Sequence, residues 1–228
     1  MDRRFYLSYL RKRASIKPKH VRGCRNFRAS CLTDDEVSAV KQKFFDVINF
    51  EQGFAIIHPG TSSQNSERYW EGKKYSELAE ALYVKYNLQA VLSGVTNDLP
   101  NIVSIAAGIN TPRFSSAGKT TLRELIVLTK LARLVVAPDT GITHIAAALD
   151  TPVVALMGMN DPVDTGPYNP NGKAVVASAK LICQPCVLQD PKPVQWEQCK
   201  KTRPVTCMQE LKVETVMEAV IKLNIMPI

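Results

Sequence analysis

The sequence has no apolar run approaching the roughly 20 residues that a membrane-spanning helix needs. Its opening, MDRRFYLSYLRKR, is basic, but FYLSYL is too short and too polar to be the core of a secretory signal. These two absences point to a cytoplasmic protein with reduced cysteines. Histidine is scarce, with three in 228 residues, and none stands beside a cysteine, so a Cys–His nucleophile has no local support. No internal repeat or low-complexity tract is present, which excludes solenoids and arrays. Acidic residues are almost missing from residues 1–30, where Asp2 alone faces ten cations: Arg3, Arg4, Arg11, Lys12, Arg13, Lys17, Lys19, Arg22, Arg25 and Arg28. The net charge of +8 is thus carried by one end, and the remainder is nearly neutral. Such a segment suits an anionic surface. No nucleic-acid-binding motif accompanies it, so the partner read here is an anionic membrane surface and not nucleic acid. A solvated basic segment with no partner is the alternative.

What is present is a chain that is 45% hydrophobic and long enough to bury a sizeable core without disulfides. Residues 1–50 read as a basic, mostly helical tail or remnant. Tyr6, Tyr9 and Leu10 share one helical face, and "TDDE" opens a second helix over Asp34–Ile48. From residue 51 the pattern changes. Short apolar runs at 54–57, 90–94, 134–138 and 152–158 read as strands, and so does the short segment 113–115. Helical periodicity falls between them: from Tyr75 to Tyr86, Ile102 to Ile109, around Leu122 to Ile126, and from Gly141. An amphipathic helix from Val213 to Ile221 closes the chain. This alternation predicts an α/β fold, a Rossmann-like parallel sheet with helices on both faces. Ligands in such sheets bind at the carboxyl ends of the strands.

"VVAPDTGITHIAAAL", from Val135 to Leu149, lies at such an end. Gly141 lets the chain turn from strand to helix, and the first N–H groups of the new helix then face the crevice with the positive end of its dipole behind them. A diphosphate fits there without a metal, with Thr140 and Thr143 adding hydroxyls and His144 on the first turn. Asp139 repels phosphate, so its expected partner is a sugar hydroxyl. The plainer alternative is an ordinary helix cap with a core histidine. A second loop, "HPGTSSQNSERYW" (58–70), offers Thr61, Ser62 and Ser63 for an anion and Arg68 to pair with it. "AGKTT" (117–121) is no triphosphate loop, because the position that needs the leading Gly is Arg113. Cys183, Cys186, Cys199 and Cys207 open with C-x2-C spacing, but the later pair is wider than zinc sites usually show. Structural zinc, labile disulfides and free thiols all remain open.

Taken together, "IIHPGTSS" (56–63), "RYW" (68–70), "YSELAEAL" (75–82), "VLSG" (91–94), "AGKTTLREL" (117–125), "APDTGITHIAAALDTPVVALMG" (137–158) and "NDPVDTGPYNP" (160–170) resemble the donor-binding half of glycosyltransferase family 9, the heptosyltransferases of lipopolysaccharide core synthesis. "CQPC" and the later Cys207–Met208 are similar to the family's cysteine-bearing tail. The resemblance implies the donor domain, residues 51–228, of a two-Rossmann-domain (GT-B) inverting transferase with no required cofactor. Its donor would be a nucleoside-diphosphate heptose such as ADP-heptose, its acceptor the lipopolysaccharide core, and its place the cytoplasmic side of the inner membrane. It puts Asp139, Thr140, Gly141, Thr143, His144 and Gly158 around the donor, and Thr61 and Ser62 against its phosphates. Arg68 stands where the family often has Lys, so a fork replaces a point charge. Asp98 is the one residue of 96–98 that could take the family's acidic ribose-binding role. Residues 1–50 are too few for an acceptor domain, so the general base has no candidate. A non-catalytic nucleotide-sugar-binding module is the second reading.

Overall fold

The computed structural model describes residues 32–60, 68–168, 171–181, 183–186, 199 and 206–226. The expected helix around Tyr6 to Leu10, and the basic segment, lie outside them. Six parallel strands form one sheet in the order β3-β2-β1-β4-β5-β6. They are β1 (Phe54–Ile57), β2 (Gln89–Leu92), β3 (Arg113–Ser115), β4 (Leu134–Pro138), β5 (Val153–Leu156) and β6 (Ala174–Ala177). The central strands are buried on both faces, as their continuous apolar sequences require. In β1, Ala55 and Ile57 face one core while Phe54 and Ile56 face the other.

The first core lies under α2 (Gly72–Tyr86), α3 (Leu99–Ala107) and α8 (Val213–Lys222). The second lies under α1 (Asp34–Phe44), α4 (Leu122–Leu131) and α5 (Gly141–Ala148). Helix α1 precedes residue 51, where the sequence changes character, yet its Val40 and Phe44 join the second core and Phe44 meets the Phe114 ring at 5.8 Å. Its start is fixed by a full capping box between Thr33 and Glu36. Glu36 then takes two bonds from Arg123 of α4, at 2.6 and 2.8 Å, and Lys43 reaches Glu124 at 2.6 Å. Glu36 is held down to about 2, first by the Arg123 guanidinium and next by the Thr33 N–H.

The strand and helix pattern read from the sequence is the observed one, with differences at the margins. Helix α3 begins at Leu99, three residues before its first core-facing isoleucine, because Pro100 sits in the first turn where no N–H is needed. Strand β6 and the short helices α6 (Pro162–Thr165) and α7 (Thr206–Gln209) were not anticipated. Each has only four residues, too few to show a period. The functional consequence lies in the strand order. The chain runs outward from β1 through β2 to β3, then returns to place β4 beside β1 and runs outward the other way. A crevice opens where the order reverses, above the carboxyl ends of β1 and β4.

Candidate functional site

Two loops meet in that crevice. The first leaves β1 as His58-Pro59-Gly60; the second leaves β4 as Asp139-Thr140 and becomes α5. They touch through Gly60, which has φ +75; a Cβ there would stand 3.1 Å from the Pro138 ring and from the Thr140 methyl. Only glycine fits that approach. The floor is His58, whose Nδ1 lies 3.0 Å from Ser93 Oγ at the end of β2. Burial pushes the His58 pKa down, and the Asp98 charge opposes this. No local sequence signal marked His58 as part of a site, because its partners come from a neighbouring strand.

The α5 N-terminus has no side-chain cap. Thr140 is its cap residue, yet its side chain makes no bond to the helix and donates instead to the Pro138 carbonyl at 3.1 Å. Helices α1 and α4 carry full capping boxes, whereas α2, α3 and α8, like α5, have no side-chain cap bond. The leading N–H groups of α5 therefore keep their binding capacity, with the dipole behind them. Among the described residues a Cβ added at Gly141 meets nothing within 4 Å. His144 is exposed on the first turn, so it is not the core histidine of the plainer alternative. Thr143 is fully buried and gives its hydroxyl proton to the Thr140 carbonyl at 2.7 Å, so it braces the turn and does not face the crevice.

Asp139 stands at the mouth. Its Oδ2 accepts from Asn160 Nδ2 at 2.8 Å and lies 3.8 Å from the Arg68 guanidinium. Arg68 is half exposed. The chain just beyond it is fixed: Trp70 is fully buried, donates to the Leu211 carbonyl at 2.8 Å and meets Tyr75 edge-on at 4.7 Å. The Tyr75 hydroxyl in turn reaches the Pro59 carbonyl at 3.3 Å. Arg68 is thereby presented to the crevice from a rigid base. Thr61 and Ser62 lie outside the described residues.

The other expected site residues also make local contacts. Asp98 is buried, and its carboxylate accepts the Val95 N–H at 2.9 Å, closing a short turn before α3. Gly158 leaves space filled from behind: a Cβ there would stand 3.0 Å from Cys207 Sγ and 3.2 Å from Met208 Sδ. Its carbonyl accepts from Gln184 at 2.7 Å. Cys183, Cys186, Cys199 and Cys207 are free thiols. Burial is the main cause that pushes Cys186 up to about 12 and Cys207 up to about 11, with the neighbouring thiols adding to it. Among the described residues no group of three or more His, Cys, Asp or Glu is arranged to hold a metal ion. Lys119 lies over the Phe114 ring at 4.8 Å, away from any triphosphate role.

Among the described residues no helix is long and apolar enough to cross a membrane. Comparison with known proteins agrees with this architecture. The lipopolysaccharide core heptosyltransferase OpsX of Haemophilus influenzae is 29% identical over 192 residues, covering 83% of this chain and 54% of that protein. The structure of E. coli ADP-heptose lps heptosyltransferase II matches 84% of this chain and 52% of its own, with 26% identity and a TM-score of 0.67. The glycosyl transferase family 9 structure from Veillonella parvula shares the fold at TM-score 0.68 and 18% identity, over 84% of this chain and 52% of that one. The chain thus spans about half the length of the relatives it matches. With residues 29–194 matching glycosyltransferase family 9 (heptosyltransferase), most of its length, the chain belongs to that family.

Proposed function

We propose that this chain forms the nucleotide-sugar-binding half of an inverting heptosyltransferase, which moves heptose from a nucleoside diphosphate such as ADP to the lipopolysaccharide core. The observation that carries the reading is the open, uncapped N-terminus of α5 at the β1/β4 switch point, with Arg68 and Asp139 beside it. The diphosphate would rest on the N–H groups of Gly141 and Ile142 and pair with Arg68. The loop holding Thr61 and Ser62 would add hydroxyls. Asp139 would turn to a sugar hydroxyl, and His144 would stand at the rim. As the leaving diphosphate gains charge during transfer, the same N–H groups and the guanidinium would stabilise it. Asp98 and Gly158 would contribute by shaping the walls. The basic residues of 1–30 would hold the protein on the anionic cytoplasmic face of the membrane, near its acceptor.

Titration calorimetry with ADP and ADP-sugars tests the reading. Two or three charge-assisted bonds support micromolar affinity, about −8 kcal/mol. Asp139→Ala and Arg68→Ala should each weaken it. Gly141→Ala should leave stability intact, since its methyl meets open space, but weaken binding by intruding where the phosphates sit. Absent binding, or binding unchanged by all three substitutions, overturns the proposal.

A further inference from the structure

We infer that His58 is a ligand contact for the ribose of the bound nucleotide: its Nε2 stands bare at the crevice floor and accepts a hydrogen bond from a ribose hydroxyl. The inference rests on the reading above. It adds the direction in which the nucleoside lies, from the end of β4 across β1 towards β2.

The ring is fixed from one side. His58 follows the last residue of β1, and its backbone N–H bonds the Val136 carbonyl of β4 at 2.9 Å. Ser93 stands at the same place beyond β2; it is buried, and its N–H bonds the Ile57 carbonyl at 3.0 Å. Its hydroxyl lies 3.0 Å from His58 Nδ1, and its carbonyl also favours a proton on the ring. A carbonyl only accepts, so the hydrogen of the neutral ring belongs on the Ser93 side, at Nδ1. Nε2 then carries the lone pair, and among the described residues it makes no hydrogen bond. Burial pushes the ring's pKa down and so favours this neutral form, although the Asp98 charge opposes it. The residue is only half-buried, so the ring is not sealed from the crevice above it.

The polarity of the crevice says what lies where. At the end of β4 the available groups are donors, the first N–H groups of α5, which have no side-chain cap. At the ends of β1 and β2 they are acceptors: Nε2 and the buried Asp98 carboxylate, whose charge the ring feels. A phosphate is drawn to the first and repelled by the second, whereas a hydroxyl suits the second. A nucleoside diphosphate meets both conditions when its phosphates rest on α5 and its ribose lies over His58. The transferred sugar is then left to the opposite side, where Asp139 and Asn160 are joined at 2.8 Å.

The test is calorimetry on the 228-residue protein with ADP, 2′,3′-dideoxy-ADP and pyrophosphate. The dideoxy nucleotide should bind at least about fivefold more weakly than ADP, the scale of one neutral hydrogen bond. Asparagine keeps an amide near the Nδ1 position for Ser93 but does not reach as far as Nε2. His58→Asn should therefore weaken ADP about fivefold and change dideoxy-ADP and pyrophosphate by about twofold or less. Glutamine carries its amide oxygen out to the Nε2 position, so His58→Gln should bind ADP within about twofold of the wild type. Thermal unfolding checks that both variants fold. A measurement on the unaltered protein accompanies them. In ¹⁵N-labelled protein at neutral pH, the His58 Nε2 resonance, identified by its loss in either variant, should be that of an unprotonated ring nitrogen. It should move upfield with ADP and stay in place with dideoxy-ADP. A wild-type protein that binds no ADP removes the underlying reading and this inference with it. If the wild type binds ADP, three results each overturn the role of His58 alone. They are equal affinity for ADP and dideoxy-ADP, a His58→Asn loss that is absent or shared by all three ligands, and an Nε2 that is protonated or does not move.

Discussion

Gly60→Ala is the substitution that most directly asks whether the two crevice loops work as one unit. Two costs add. The backbone at φ +75 suits glycine, and an L side chain there costs about 1–2 kcal/mol. The new methyl also stands 3.1 Å from the Pro138 ring and the Thr140 methyl, closer than ordinary contact. Pro138 cannot yield easily, since it ends a fully buried strand in register with Leu156. Thr140 moves with it, because its hydroxyl bonds the Pro138 carbonyl. The His58–Gly60 loop must therefore move instead, and overpacking of this kind costs about 1–3 kcal/mol. The sum, about 2–5 kcal/mol, corresponds to roughly 5–15 °C in melting temperature for a domain of this size. Gly172→Ala separates the terms: Gly172 has φ +72 and, among the described residues, nothing within 4 Å of its Cβ, so it carries the backbone cost without the contact. Urea unfolding of both variants gives the difference, and ADP calorimetry shows whether the crevice opened. If Gly60→Ala costs no more than Gly172→Ala and binds ADP as the wild type does, the two loops are not coupled through this contact.

Acid should destabilise the fold in two separate windows. His58 has a folded pKa below the usual 6.5, so the unfolded chain takes up its proton first; stability present above 6.5 is lost as pH falls from there through the lower folded value. Glu36 and Glu124, both lowered from 4.5, contribute stability that is kept above 4.5 and lost below it, in the case of Glu36 down to about 2. Unfolding free energies measured from pH 7 to 5 should therefore decline in the wild type and stay flat in His58→Gln; equal slopes would assign the loss to another group. The basic segment should bring the protein to vesicles of anionic lipid at low salt, with each cation worth about 1 kcal/mol, and release it at high salt. Equal sedimentation after removal of residues 1–30 would refute this.

How much of this was legible in the sequence depends on whether a residue's partner lies nearby in the chain. Most of the fold was, because the central strands are short apolar runs and the longer helices repeat near 3.6. The α5 terminus was legible too, since strand, Gly141 and helix are contiguous. Thr143 shows the limit of reading residue types at that terminus: a buried hydroxyl three residues into a helix finds a backbone carbonyl first, as Ser and Thr commonly do. The Val95 N–H, three residues before Asp98, bonds its carboxylate, a contact that the resemblance does not suggest. Beside Gly158 the space is filled by Cys207 and Met208 of helix α7, about 50 residues later, which local pattern could not show. His58 with Ser93, and Asp139 with Asn160, could not be paired from local pattern. Their contacts arise only when the strand order sets β1 between β2 and β4, and β4 beside β5. The partners of His58 and Asp139 are thus supplied by the ends of neighbouring strands, where sequence distance hides them.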